Sequence, residues 1–275
     1  MKNRYHRIIL LLYAIAIPSW LFILAAVMEF DIGFKFGMRD VFGLKNEVFN
    51  FVFYAIAAGV LLVIGTLLFK KYRSNHKPAA LLLSTYNFLL AIASGYESMR
   101  KFILFHDRFD AAREVLTFIV MSCAIIYFFL FMQEIFTGSF KFDDHRKTHA
   151  IFFSAIIIGD IFLALWPFVF TGKEAASFDI SELPKYIGFG FIGVTIIVLC
   201  LWQVRAAFLL VKKSDNTRVQ TGLKMMGLSA IAHLSIIASI IIKEELVIFD
   251  AILPILVFTA SILTYMGYVY PSRKE

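Results

Sequence analysis

Four side chains are placed where they could do chemistry: Asp160, His233, Asn87 and Tyr86, each inside a long apolar run. An ionisable group at the centre of a membrane is costly to bury and is therefore a functional candidate by default. Asp160 is the clearest case. It lies in the middle of the run 149–171, about 16 Å from either end at a helical rise of about 1.5 Å per residue. His233 falls near the middle of 221–242, and Asn87, beside Tyr86, near the middle of 79–98. Polar groups at one depth can converge on a ligand, an ion or a transferable proton. The same groups can also be structural, since a neutral Asp160 paired with His233 or Asn87 would tie helices together through a buried hydrogen bond worth about 1 kcal/mol.

Other polar residues carry less. Glu97 and Arg100, with Lys101, make a charged end to the run 79–98, either a solvated helix end or the rim of an outward-facing pocket. Gln133 and Glu134 end the run 113–136 in the same way. Ser229 and His233 share a helix face at a spacing of four, but no nucleophile motif accompanies them. Asp250 stands near the outer end of its run, about 12 Å from the depth of Asp160, so the two cannot share a proton as a carboxylate dyad. The stretch 247–270 has no lysine for a retinal Schiff base. The glycines of GFGFIG (188–193) lie within an apolar run rather than after a strand. That excludes a dinucleotide loop and suits close helix packing. Cys123 and Cys200 also sit in apolar runs, which argues against a disulfide framework or a thiol metal site. With no HExxH, P-loop, CxxC or paired helix histidines, no catalytic residue, metal or cofactor is assigned.

The elements that must position these residues follow from composition. The 275 residues are 60% hydrophobic and 17% charged, with a mean hydropathy of +0.79. Soluble domains are about 45–50% apolar and about 25% charged. The apolar excess excludes a soluble enzyme, a nucleic-acid module and a disordered chain. A helix crossing a bilayer needs about 20 apolar residues. Eight runs qualify: 8–28, 49–69, 79–98, 113–136, 149–171, 184–211, 221–242 and 247–270. They are unbroken rather than alternating, which favours helices over barrel strands. The expectation is an all-α polytopic transmembrane bundle forming a single integral membrane domain over 1–275. It has eight helices, a seven-helix core plus an N-terminal helix. The first run could also be a signal peptide, but at about 20 residues it exceeds the usual 7–15 and no cleavage site follows. The segment 29–48, with Phe34, Phe36, Phe42 and Leu44, reads as lying along the outer interface.

Charge sets the expected orientation. Lys and Arg concentrate beside alternate loops: Lys2, Arg4 and Arg7; Lys70, Lys71, Arg73 and Lys77; Lys141, Arg146 and Lys147; Arg205, Lys212, Lys213, Arg218 and Lys224; Arg273 and Lys274. The positive-inside rule then puts both termini in the cytoplasm of a multi-pass cell-membrane protein. The net charge of +7 is accordingly a topology signal rather than a nucleic-acid footprint. The basic loops could also attract anionic lipid headgroups or an acidic partner. Tyr265, Tyr268, Tyr270 and Trp202 read as interfacial anchors.

One stretch carries a resemblance. RAAFLLVKKSDNTRVQTGLKMMGLSAIAHL, followed by a last helix ending TYMGYVYPSRKE, resembles the closing part of archaeal-type seven-helix membrane proteins, which are similar to the N-terminal seven-transmembrane sensor regions of histidine kinases. The matching features are the basic loop 212–218 and Gly267, Pro271 and Arg273, over about 70 residues. The resemblance implies a sensing or binding protein for a small molecule, ion or membrane state, acting through a separate cytoplasmic signalling partner. It supplies no catalytic residues, and this chain adds a first helix and lacks an output domain. The alternatives are a secondary transporter with a midplane Asp160–His233 coupling site, and an intramembrane enzyme acting on lipid. The bilayer is the one partner the composition demands, and the oligomeric state is left open.

Overall fold

A computed structural model describes residues 45–100, 107–141, 143–169, 183–242 and 248–272. They form seven α-helices: α1 (Lys45–Asn75), α2 (Pro78–Arg100), α3 (Asp107–Thr137), α4 (Arg146–Val169), α5 (Leu183–Lys213), α6 (Thr217–Ile242) and α7 (Ile248–Val269). No strand occurs among the described residues. The helix expected over 8–28, residues 29–44 of the interfacial segment expected over 29–48 and the side chains of Arg100 and Asp250 lie outside what is described, while 45–48 belong to α1 rather than to a connecting segment.

Six of the helices are long and apolar enough to cross a membrane, as in a multi-pass membrane protein. The exception is α6, whose described part carries Arg218, Gln220, Lys224, Ser229, His233 and Ser235. Several helices outrun their apolar stretches. α1 continues through KKYRSN, and α3 starts in DRFDAAR. Charged residues with good helix propensity extend a helix into the interface, beyond what hydropathy alone delimits.

Short connections make successive helices antiparallel. His76, at φ 51°, ends α1, and its N–H reaches the Tyr72 carbonyl at 2.7 Å. Gly138, at φ 74°, ends α3 with its N–H on the Glu134 carbonyl at 3.1 Å, the left-handed cap for which glycine carries no Cβ penalty. Each helix packs on its sequence neighbours, and α7 returns to α1 to close the ring. α3 lies innermost, with 78% of its most apolar stretch buried, against 22% for α5. The outward faces expose Val63, Ile151, Ile161, Val194 and Val198, which suits contact with lipid. By alternation the ends bearing Lys71, Lys147 and Lys213 lie on one side of the bundle.

Two crossings bring backbones together at glycine. A Cβ on Gly222 of α6 would stand 2.5 Å from Pro271 Cγ and 2.7 Å from the Gly267 carbonyl oxygen. A Cβ on Gly188 of α5 would stand 2.7 Å from Leu163 Cγ and 2.8 Å from the Gly159 carbonyl. Of the GFGFIG glycines only Gly188 does this, since Gly190 and Gly193 have open space where a Cβ would go. Gly222→Ala and Gly188→Ala are therefore expected to lower stability by about 1–3 kcal/mol, the usual cost of overpacking. Gly190→Ala and Gly193→Ala should stay within about 0.5 kcal/mol of wild type. Thermal unfolding of the four variants in detergent checks this, and equal losses at all four would refute the two-crossing account.

Candidate functional site

Of the four midplane candidates, the fold joins two. The Tyr86 hydroxyl of α2 lies 2.6 Å from His233 Nε2 of α6. His233 Nδ1 lies 2.8 Å from the Ser229 carbonyl oxygen. A carbonyl can only accept, so Nδ1 carries the proton, Nε2 accepts and Tyr86 donates. The Phe128 ring of α3 closes the group, with centroids 4.8 Å from Tyr86 and 4.9 Å from His233.

The polar chain continues into α7. Ser229 Oγ lies 2.5 Å from Thr264 Oγ1, and both hydroxyls reach the Ala260 carbonyl at 2.9 Å. Ser261, also of α7, lies beside the Tyr86 hydroxyl. Ser229, Ser261 and Thr264 are fully buried. One chain of polar contacts thus ties α2, α6 and α7. It is not a nucleophile–base arrangement. Ser229 Oγ is 3.4 Å from His233 Nδ1, but that nitrogen is already a donor and cannot take the serine proton.

Asn87 and Asp160 stand apart from this chain. Asn87 is fully buried, and its amide donates to its own helix at the Leu83 carbonyl, 2.7 Å away. Its Oδ1 has no hydrogen-bond partner among the described residues. Asp160 of α4 is buried within electrostatic reach of Cys123 of α3, one residue from the Gly159–Gly188 crossing. Cys123 and Phe128 are five residues apart on α3, which turns them about 140° from each other around the helix axis. Asp160 and His233 therefore approach α3 from different sides, and the convergence of three midplane groups expected from depth alone does not form. Glu97 stands half-buried at the far end of α2. At that end Lys185 lies 4.0 Å from Glu114 and 4.5 Å from the centre of the Trp166 ring, joining α3, α4 and α5.

The sequence reading missed Thr264, Ser261 and Phe128. Ser261 and Thr264 are spaced by three and could have been read as a polar stripe on α7, but nothing in the sequence says which helix that stripe faces. It also missed a cavity of about 530 Å³ at the basic end, lined by residues of α1, α3, α5, α6 and α7. Its inner wall includes Met226 and Gly267, each three residues from a member of the polar chain, Ser229 and Thr264 respectively. Tyr268, expected to be an interfacial anchor, is half-buried in the cavity wall against Phe131. Gln203 of α5 donates to the Met226 carbonyl at 2.7 Å, fixing that wall.

Comparison of the chain with family models, with curated proteins and with solved structures finds no significant match.

A double-mutant cycle tests the polar chain. Tyr86→Phe and His233→Leu should couple by about 0.6 kcal/mol, up to about 1.7, the range of interhelical hydrogen bonds in membrane proteins. Tyr86→Phe and Asp160→Asn should instead add to within about 0.3–0.5 kcal/mol. Unfolding measured in one detergent gives both numbers, and coupling of Tyr86 to Asp160 as strong as to His233 would defeat the separation argued above.

Proposed function

We propose that this chain is a membrane-embedded binding and sensing protein, with both termini cytoplasmic, that acts on a separate partner through its basic end. The observation that carries this reading is the polar chain Tyr86–His233–Ser229–Thr264, which ends one helical turn from the walls of the basic-end cavity. A ligand entering that cavity contacts α6 and α7 at Met226 and Gly267. Any displacement of those helices strains or relieves the hydrogen bond to α2. A two-state rearrangement needs such differential contacts between ligand and states. The resemblance to seven-helix sensor regions points to the same reading, and two of the residues that carry it, Gly267 and Pro271, belong to the close α6–α7 crossing.

A transporter using Asp160 with His233 as one coupling site is less well supported, because the two groups approach α3 from different sides. An enzyme acting on lipid is disfavoured by the tautomer of His233, which leaves Ser229 without a base.

Access to the cavity separates these readings. In a background lacking Cys123 and Cys200, a cysteine placed at position 226 (Met226→Cys) should react with a membrane-impermeant thiol reagent from the basic face only. Oriented vesicles of both sidedness provide the test. Labelling from both faces would establish alternating access and replace the sensor by a transporter. Labelling from neither face would remove the cavity as a binding site.

A further inference from the structure

Three lysines meet at the basic-end cavity: Lys71 near the end of α1, Lys77 in the α1–α2 turn and Lys213 at the end of α5. They come from parts of the chain some 140 residues apart in sequence. None of the described lining residues is acidic. Lys71 and Lys77 are close enough to repel each other, and an anion placed between like charges in a partly dry cavity is attracted by both. Lys71 Nζ lies 4.8 Å from the centre of the Tyr268 ring. The Tyr268 hydroxyl is buried and has no hydrogen-bond partner among the described residues, so it is a donor in reserve. Glu134 of α3 stands near Tyr268, which leaves a clear excess of positive charge around the opening.

The rest of the wall is apolar. Leu210, Leu223, Met226 and Pro271 line it below the lysines. A small hydrophilic anion would leave that surface unused, and a purely apolar ligand would leave the lysines unused. The volume of about 530 Å³ falls within the usual range for small-ligand sites, about 300–1,000 Å³. It suits a headgroup with the first part of its chains. The positive-inside rule explains why lysines lie on this side of the bundle. It does not require lysines from separate loops to converge on one cavity with an apolar interior.

We infer that this cavity is a binding site for an anionic phospholipid, whose phosphate is held by Lys71, Lys77 and Lys213 and whose chains begin against Leu210, Leu223 and Met226. The inference names the ligand class of the binding and sensing reading and rests on that reading only for its consequence, not for the binding itself. Occupancy places the phosphate between α1, α5 and α7 and presses the chains on Met226, one turn from Ser229.

The test is native mass spectrometry of the full chain, released from neutral detergent doped with phosphatidylglycerol or with phosphatidylcholine of the same acyl chains. Wild type should retain the anionic lipid over the zwitterionic one by at least about tenfold, since each lysine near an anionic headgroup adds to the attraction. The combined variant Lys71→Gln, Lys77→Gln, Lys213→Gln should lose that preference. A control of Lys147→Gln, Lys212→Gln, Lys224→Gln, on the same side but outside the cavity, should keep it. Met226→Trp fills the apolar wall without changing charge and should also reduce retention, which keeps the test open if the lysine variant does not fold. Equal retention of the two lipids in wild type overturns the inference. So does an equal loss in the control, which would mean general surface charge, and so does full competition by millimolar inorganic phosphate, which would mean a site for the free anion. Absence of lipid selectivity in the wild type, while position 226 still labels from one face, removes the lipid and leaves the binding reading. Labelling from both faces removes the binding reading whatever the lipid does.

Discussion

A helix enclosed by other helices inside a bilayer has neither water nor headgroups to satisfy its polar side chains, so its neighbours must supply every contact. α3 is that helix here, and the arrangement of the rest follows from it. Its buried surface presents Cys123 toward α4 and Phe128 toward α2 and α6, with Phe131 toward α7. Each neighbour brings its polar residue to a different side of this core: α4 brings Asp160, while α2 and α6 bring Tyr86 and His233. The functional geometry is thus partitioned by a packing element that carries almost no chemistry of its own.

The Tyr86–His233 pair is arranged as low-dielectric surroundings require. A neutral imidazole with one donor and one acceptor, each matched, needs no charge and leaves no proton unpaired. That match depends on the backbone, because Nδ1 is oriented by a carbonyl one turn earlier on its own helix. The link onward to α7 depends on the crossing at Gly222 and Gly267. Only where the two backbones nearly touch can Ser229 and Thr264, two short side chains, reach each other. Larger residues at the crossing would separate α6 from α7 and break the chain of contacts at its shortest step. The small residues and the polar chain are therefore one device, the first setting the spacing that the second needs.

This explains which parts were legible in sequence. Apolar runs of about 20 residues mark helices because bilayer thickness fixes their length, and each described helix overlies one. Helix ends were less legible, since charged continuations such as KKYRSN carry no hydropathy signal. Tyr86 and His233 were singled out by depth alone, and depth is what a run's midpoint encodes. Azimuth is not encoded. Whether Asp160 faces His233 or Cys123 depends on the order of helices around α3, and hydropathy is blind to that order. The lysines illustrate the same limit: Lys71, Lys77 and Lys213 are visible as a topology bias, yet their convergence exists only once α1 and α5 are placed on the same rim.

The location of that rim follows from how the bundle closes. Neighbours in sequence are joined by turns as short as 76–77 and 214–216, so they cannot separate far at those ends. α1 and α7 are the remote partners that complete the ring, and among the described residues no short turn holds them together. The cavity opens beside this seam, with Lys71 on one side and Gly267, Tyr268 and Pro271 on the other, and the rest of its wall comes from α3, α5 and α6. The cation–aromatic contact of Lys71 with Tyr268 spans the same seam. An anion drawn to Lys71 competes with that contact, so occupancy bears on how α1 meets α7. The Gly222–Gly267 crossing passes any shift of α7 to α6, the helix that holds His233 against Tyr86. Binding at the basic rim and hydrogen bonding in the interior are thereby joined through a single pair of helices.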